Sequence, residues 1–199
     1  MPRLKIFLVA AALLVSAACD SKPGNTNSGS ASPPPARSNQ TNRTAVIETD
    51  AGTIKFELLF NEAPQTAENF LQLAERGFYN GVIFHRTISG FMIQGGDPSG
   101  SGRGGETATG APLPNEVNPN SPLYQGGYRR GIVAMANKGR PETGTSQFFI
   151  MHQNYPLPPQ YTIFGRVTEG MEVVDKIATA PVQGDRPVTP VVMKKVYIQ

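Results

Sequence analysis

The feature that most restricts the fold of this chain is an apolar stretch from Phe84 to Asp97 with a tight turn inside it. Ser89-Gly90 separates two short runs, which predicts a β-hairpin. Arg86 and Gln94 occupy corresponding ends of the two runs. Because side chains alternate along a strand, one sheet face can present a guanidinium, an amide and large apolar groups together. The alternative is an ordinary hairpin with one arginine whose charged end reaches solvent.

The remaining sequence favours many short strands over a helical bundle. Glycine (21 residues) and proline (18 residues) are spread along the chain, and both residues interrupt regular structure. Alternation of Ile54, Phe56 and Leu58 with polar residues indicates a half-buried strand. In total the patterns predict about eight strands and two helices, the first beginning at Pro64 and ending near Gly77. Strands in such number favour a mainly β fold, an eight-stranded antiparallel β-barrel, over a doubly wound sheet.

The amino terminus has the layout of an export signal. Arg3 and Lys5 precede an uncharged apolar run, and small residues lead into the single cysteine, Cys19. Residues 1–18 are therefore predicted to be a signal peptide. The segment also resembles the lipobox of bacterial lipoproteins, in which Cys19 would be acylated. We therefore expect an exported protein held to a membrane through Cys19 and facing the periplasm or the cell exterior. The alternative is an ordinary signal peptide cut after Ala18.

The residues that follow divide into a linker and a folded domain. Residues 19–43 are rich in Gly, Ser, Pro and Asn with almost no large apolar side chain, so we expect them to stay disordered. They are either a spacer from a membrane or a segment without a spacing role. Residues 44–199 form the predicted domain, expected to be a monomer. The net charge is only +3 and there is no Lys/Arg run, so nucleic acid is not an expected partner.

Few residues in the domain suit covalent or metal chemistry. His85 and His152 lack the paired spacing of zinc ligands, and His85 is expected to be satisfied inside the barrel. The run from Gly102 to Gly105 lacks the Lys-Ser/Thr ending of a phosphate-binding loop. We therefore expect neither a metal nor a cofactor. What remains is one arginine among apolar neighbours, which suits binding an apolar group while a fixed cation contacts a nearby carbonyl or amide.

Five separated motifs in the domain also match a known family. They are Phe84-His85-Arg86, Gly90 to Asp97, Met135-Ala136-Asn137, Ser146 to Ile150, and Phe164 to Val167. In this order they closely resemble the cyclophilins, which are peptidyl-prolyl cis–trans isomerases. The resemblance implies an eight-stranded antiparallel barrel closed by two helices, in agreement with the strand count.

The resemblance also implies a role for each matching residue. By this resemblance Arg86 is the catalytic arginine, and Gln94 belongs to the catalytic set beside it. Phe91, Met92, Phe149 and Leu157 match the proline pocket, Gln147 matches a second polar group near the arginine, Ala136 and Asn137 match the edge that holds the substrate backbone, Gly102 matches a neighbouring groove, and Tyr161 stands where the family often has His. The chain has no Trp, and Pro156 stands where many members have one beside the pocket leucine, which puts cyclosporin binding in doubt.

The implied activity is rotation of X–Pro bonds in exported proteins, with proline-containing polypeptides as partners. A guanidinium would stabilise the twisted amide without covalent chemistry. The alternative, from a different functional class, is a non-catalytic module that binds proline-containing segments as a chaperone or scaffold.

Overall fold

The structure is a computed structural model and describes residues 43–140 and 142–199. Its elements in chain order are β1 (Thr44–Thr49), β2 (Gly52–Leu58), α1 (Pro64–Glu75), β3 (Arg86–Ile88), β4 (Met92–Gly95), α2 (Pro122–Gln125), β5 (Ile132–Met135), β6 (Phe148–Met151), β7 (Ile163–Glu169), α3 (Met171–Ala178), β8 (Val182–Gln183), β9 (Arg186–Pro187) and β10 (Met193–Ile198). The predicted signal peptide, Cys19 and the linker up to residue 42 lie outside the described residues.

Eight of the strands form one antiparallel sheet in the order β10-β1-β2-β7-β5-β6-β4-β3. Two of its neighbouring pairs are hairpins, of which the second is the one predicted from the sequence. In the first, Thr49 pairs with Gly52 across the turn, and in the second, Ile88 pairs with Met92. The prediction of a mainly β, eight-stranded antiparallel fold is therefore confirmed.

Alternation along the strands gives this sheet two apolar faces. In β6, Phe148 and Ile150 pack into a core on the inner face, whereas Phe149 and Met151 pack into a second cluster on the outer face. All four side chains are buried. The buried residues of this second cluster, here called the outer cluster, are Met92, Tyr124, Tyr128, Ile132, Ala134, Phe149, Met151 and Ile163. Because consecutive residues serve opposite faces, each central strand supports the core and the outer cluster at once.

Helix α1 packs one apolar stripe against the inner core. Ala67, Phe70, Leu71 and Ala74 are all buried, as their helical spacing predicts. The ring of Phe70 meets that of Phe148 edge-on, with centroids 5.5 Å apart. The helix ends before a glycine, Gly77, whose φ of +70° is the left-handed conformation that favours this residue.

The amino terminus of α1 is capped by a residue from a distant loop. Its own N-cap position is Ala63, which has no side-chain acceptor. The Glu116 carboxylate instead accepts hydrogen bonds from the backbone N–H groups of Gln65 (2.9 Å) and Thr66 (2.8 Å) and from the Thr66 hydroxyl (2.7 Å). A carboxylate here satisfies free backbone donors and lies at the positive end of the helix dipole.

The predicted closed barrel is not what the structure shows. No strand ladder joins β10 to β3 within the described ranges, so the sheet is an open half-barrel. One isolated bridge, Ile83 with Val192, spans the seam. Backbone bonds from Phe84 N to Val191 O (3.0 Å) and from Met193 N to Val82 O (2.8 Å) accompany it. The seam is therefore held by residues just before β3, while β3 itself forms a strand ladder only with β4.

Two small elements were not predicted from the sequence. Between β4 and β5 the chain forms the short helix α2, which Ser121 caps by accepting from Tyr124 N at 3.5 Å. Strands β8 and β9 form a separate two-stranded ribbon, in which Gln183 pairs with Arg186. No helix in the described part of the chain has both the length and the apolar character needed to cross a bilayer.

Candidate active site

The hairpin β3–β4 places Arg86 directly opposite Gln94, as the sequence predicts. Its register is fixed because the turn at Ser89-Gly90 is short. The turn is held from outside: His152 Nδ1 accepts from Gly90 N at 2.9 Å, and His152 N donates to Phe91 O at 2.8 Å. The backbone around Phe91 is therefore fixed from β6.

Arg86, Gln94 and Phe149 form a row across three neighbouring strands on the outer face. Gln94 pairs with Arg86 on one side and with Phe149 on the other. Adjacent strands lie about 4.8 Å apart, so the backbones of Arg86 and Phe149 are separated by roughly 10 Å. The Arg86 side chain is 40% exposed, whereas Phe149 is buried. A cation that solvent can reach therefore stands beside an apolar surface.

That apolar surface contains the residues predicted for the proline pocket. Met92 and Phe149 are buried members of the outer cluster, while Phe91 and Leu157 are half-buried at its margin. Tyr161 completes this surface, with its ring edge-on to Phe149 at a centroid distance of 5.4 Å. The structure thus brings all five side chains to the same face as the arginine.

Tyr161 is fixed by a neighbouring tyrosine. Tyr128 Oη donates to Tyr161 O at 2.8 Å and accepts from Tyr161 N at 3.0 Å. Burial raises the pKa of Tyr128 to about 12, so its hydroxyl keeps its proton at neutral pH. The Tyr161 ring is therefore positioned from its backbone, and its own hydroxyl makes no hydrogen bond to the described residues.

A chain of amide hydrogen bonds supports the polar side of the site. Gln94 Nε2 donates to Gln147 Oε1 at 3.0 Å. Gln147 Nε2 donates in turn to Gly102 O at 3.1 Å and to Gly104 O at 2.7 Å. Gln147 is only 6% exposed, and the predicted groove residue Gly102 lies on the surface. These bonds tie the hairpin to residues 97–104, here called the 97–104 loop.

The 97–104 loop is organised around one buried carboxylate. Asp97 is fully buried and accepts from Ser99 N (2.8 Å), Gly102 N (2.7 Å) and Gly104 N (3.2 Å), and from the hydroxyls of Ser99 (2.8 Å) and Ser101 (3.2 Å). Burial opposes its ionisation, but the hydrogen bonds from Ser99, Gly104 and Gly102 hold the pKa of Asp97 well below its usual range. The loop therefore presents its carbonyls to Gln147 in a fixed arrangement.

Ala136 and Asn137 lie at the end of β5, beside the outer cluster. Ala136 N donates to Gln147 O at 2.9 Å. Asn137 Nδ2 donates to Gln160 O at 2.9 Å, and its Oδ1 accepts from Gly139 N at 3.0 Å. These bonds fix the strand end, and both residues are half-buried. These are the two residues predicted for the substrate edge.

His85 differs from its prediction. His85 is buried, but neither ring nitrogen has a hydrogen-bond partner among the described residues. Burial is the main reason that the pKa of His85 lies below its ordinary value, with Arg186 and Arg86 acting in the same direction and Asp97 against them. No group of His, Cys, Asp and Glu residues suited to a metal ion occurs within residues 43–140 and 142–199.

Two residues that contact the site were not predicted from the sequence. Asp185, between β8 and β9, accepts from Arg86 Nε at 3.1 Å. Tyr155 is 44% exposed and stacks on Phe91 with centroids 4.3 Å apart. It stands next to Pro156, so an aromatic ring is present at the pocket margin although the chain lacks a Trp. Nothing in the sequence pattern indicates either contact, because both partners lie far apart in the chain.

A family model described as cyclophilin type peptidyl-prolyl cis-trans isomerase/CLD matches residues 44–198 of this chain. The chain belongs to the cyclophilins. Two curated cyclophilins illustrate the similarity. Peptidyl-prolyl cis-trans isomerase CYP18-1 of Arabidopsis thaliana is 45% identical over 76% of this chain and 93% of its own length. Human peptidyl-prolyl cis-trans isomerase-like 3 is 43% identical over the same shares.

Solved cyclophilin structures agree with the fold. A cyclophilin type peptidyl-prolyl cis-trans isomerase of Cryptosporidium parvum superposes with a TM-score of 0.74 at 37% identity, over 80% of this chain and 98% of the other. A second structure of that protein, in the presence of the dipeptide Ala-Pro, gives a TM-score of 0.72 over 78% and 98%. The relatives named here are eukaryotic, so they do not support the bacterial, lipoprotein-like origin expected from the amino terminus.

Proposed function

We propose that this cyclophilin isomerises X–Pro bonds by placing the Arg86 guanidinium against a proline whose ring lies on the outer cluster. The observation that supports this is the row of Arg86, Gln94 and Phe149 on one sheet face. Gln94 belongs to the catalytic set because it lies beside the guanidinium and is itself fixed by Gln147. In this arrangement the solvent-accessible cation can contact the prolyl amide while the aromatic ring in register with it contacts the proline ring.

The barrier to rotation explains why a cation suits this reaction. An amide loses its resonance when it twists, at a cost of about 18–20 kcal/mol. In the twisted state the proline nitrogen regains its lone pair, and a guanidinium donor stabilises that state more than either planar isomer. Lowering the barrier by about 7 kcal/mol would accelerate rotation by roughly 10⁵-fold. Arg86 suits the task because a guanidinium stays charged and presents several donors in a fixed plane.

The apolar residues have a different task from the arginine. In this proposal Phe91, Met92, Phe149 and Leu157 hold the proline ring, with Tyr161 beside them. Ala136 and Asn137 hold the substrate backbone, Gly102 lines the neighbouring groove, and Gln147 is the second polar group near the arginine. The proline ring is then fixed while the residue before it rotates, so binding of the ring orients the bond that rotates. The partners are proline-containing polypeptides, and the domain acts as a monomer in this proposal.

Replacement of Arg86 tests the proposal directly. Arg86→Ala should lower kcat/KM in a proline-peptide assay by at least about 100-fold, because the donor to the nitrogen is lost. Its melting temperature should stay near that of wild type, since the Arg86 side chain is 40% exposed. Arg129→Ala, which removes another exposed arginine, is the matched control and should keep full activity.

A refolding assay separates catalysis from simple binding. If the domain is only a proline-binding module, wild type and Arg86→Ala should rescue a slow-refolding client equally. Undiminished turnover by Arg86→Ala would falsify the assignment of the catalytic arginine.

We further propose that the clients are exported proteins and that the enzyme is a bacterial lipoprotein. The support is the order of features in the sequence: a signal peptide over residues 1–18, Cys19, and a linker over residues 19–43 before the domain at 44–199. A labelled fatty acid should be incorporated into wild type and not into Cys19→Ser. Recovery of the mature protein with a free Cys19 thiol would contradict the lipid anchor.

A further inference from the structure

We propose that Asp185 is a positioning residue that orients the guanidinium of Arg86, an inference that rests on the catalytic role proposed for Arg86 above. Asp185 lies in the turn of the β8–β9 ribbon, outside the eight-stranded sheet. Its carboxylate accepts from Arg86 Nε at 3.1 Å. The two residues are 99 positions apart in the chain, so the contact depends on how the ribbon docks.

The ribbon docks on the free edge of the strand that contains Arg86. Strand β3 is the last in the sheet order, so only β4 pairs with it as a strand. On its other edge, Thr87 N donates to Asp185 O at 2.8 Å. Asp185 therefore contacts β3 twice, with its carbonyl on the backbone and its carboxylate on the neighbouring side chain. The backbone contact fixes the distance at which the carboxylate can act.

The next residue anchors the same ribbon to the 97–104 loop. Arg186 Nη1 donates to Gly100 O at 3.1 Å. The ribbon is thus held between β3 and the loop whose carbonyls fix Gln147. Such a double attachment makes the turn a rigid support for Asp185.

The contact leaves the reactive end of Arg86 available. Asp185 bonds to Nε, while neither terminal nitrogen of Arg86 has a hydrogen-bond partner within the part of the chain that the structure describes. An arginine that is 40% exposed would otherwise lose considerable rotamer freedom on meeting a substrate. Because one bond at Nε restricts the side chain, Nη1 and Nη2 can be oriented toward the prolyl amide before it arrives.

Three substitutions test this role, and all keep the backbone bond to Thr87. Asp185→Ala removes the acceptor and should lower kcat on the order of tenfold with KM changed by less than about twofold. Asp185→Asn keeps a neutral acceptor oxygen, so it should show most of the kcat that Asp185→Ala loses. Asp185→Glu should restore part of it. Asp50→Ala is the matched control, because it removes another exposed surface ion pair, with Lys194 at 2.7 Å, and should leave kcat unchanged.

A double-mutant cycle with Arg86→Lys identifies the path of the effect. Lysine has no Nε–H in a guanidinium plane, so Asp185→Ala should cost little further activity in that background. An equal loss with arginine and with lysine would overturn the inference, since the effect would then not pass through the guanidinium. A faster Asp185→Ala enzyme would also overturn it, because the carboxylate would then weaken the cation instead of positioning it.

The two proposals fail in different ways. If Arg86→Ala keeps wild-type kcat, the catalytic arginine itself is wrong, whatever Asp185 does. If Arg86→Ala is inactive and Asp185→Ala matches wild type in kcat, only the positioning role is wrong.

Discussion

The buried carboxylate of Asp97 should control both the stability of the domain and its acid sensitivity. In Asp97→Asn one carboxylate oxygen becomes an NH₂ group, which cannot accept a hydrogen bond. If the remaining oxygen takes the Oδ2 position, it still accepts the hydrogen bonds from Ser101, Gly102 and Gly104. The NH₂ group then faces Ser99 N, which is itself a donor. The opposite rotamer loses the two glycine donors instead. Every orientation therefore leaves at least one loop donor without an acceptor.

The size of the effect follows from these contacts. An unsatisfied buried donor costs about 1–3 kcal/mol, and bonds that lose their charge lose roughly half their strength. Together these predict a decrease of about 3 kcal/mol in the free energy of unfolding. For a domain of this size that is a fall of roughly 6–12 °C in melting temperature.

The pH dependence provides an independent measurement. The folded pKa of Asp97 is depressed, so its contribution is complete above the unfolded value of about 3.9 and is lost as pH falls through and below that value. As the pH falls below about 4, wild type should therefore lose stability more steeply than Asp97→Asn. Thermal unfolding followed by circular dichroism across this range measures both quantities.

A surface carboxylate supplies the control. Asp50 is paired with Lys194 but half-exposed, so Asp50→Asn should change the melting temperature by less than about 2 °C. Asp97 would have no such role if Asp97→Asn melted within about 1 °C of wild type at pH 7, or if both proteins lost stability in parallel in acid.

Three further replacements test other parts of the structure. Glu116→Ala should lower the free energy of unfolding by about 1–2 kcal/mol in a urea titration, because α1 loses its cap, while kcat stays constant. Phe149→Ala should raise KM and lower the free energy of unfolding by about 3–5 kcal/mol. Phe149→Leu should bring both quantities back toward their wild-type values. An unchanged KM in Phe149→Ala would show that this ring is not part of the pocket. Tyr128→Phe should cost about 1–3 kcal/mol by leaving Tyr161 N and O without a partner, and equal stability in calorimetry would show that water replaces the hydroxyl.

The parts of the fold that the sequence predicts are those fixed by local patterns. Period-two and helical spacings predict the β3–β4 hairpin and the buried stripe of α1, and a short turn leaves only one register for Arg86 and Gln94. The apolar surface beside Arg86 depends on the same alternation of side chains, which puts Phe149 and Gln94 on one face of the sheet. Family resemblance adds the roles of these residues, which alternation alone does not provide.

The parts that were not predicted depend on polar contacts between distant loops. Glu116 and Asp185 are ordinary loop acids in the sequence, and only the folded chain brings them to Thr66 and Arg86. Such contacts leave no periodic signal along the chain. The open seam between β10 and β3 is similar, since strand patterns give the number of strands but not whether the last one pairs with the first.

The position of the outer cluster on the outer face of the sheet affects which chains can reach it. A pocket sunk inside a barrel would accept only a terminus or a short ligand, whereas residues that border this cluster reach solvent, from the Arg86 side chain to the ring of Tyr155. A long polypeptide can cross such a surface with both ends continuing into solvent. Prolines in the middle of a partly folded client are therefore as reachable, in steric terms, as those in a peptide.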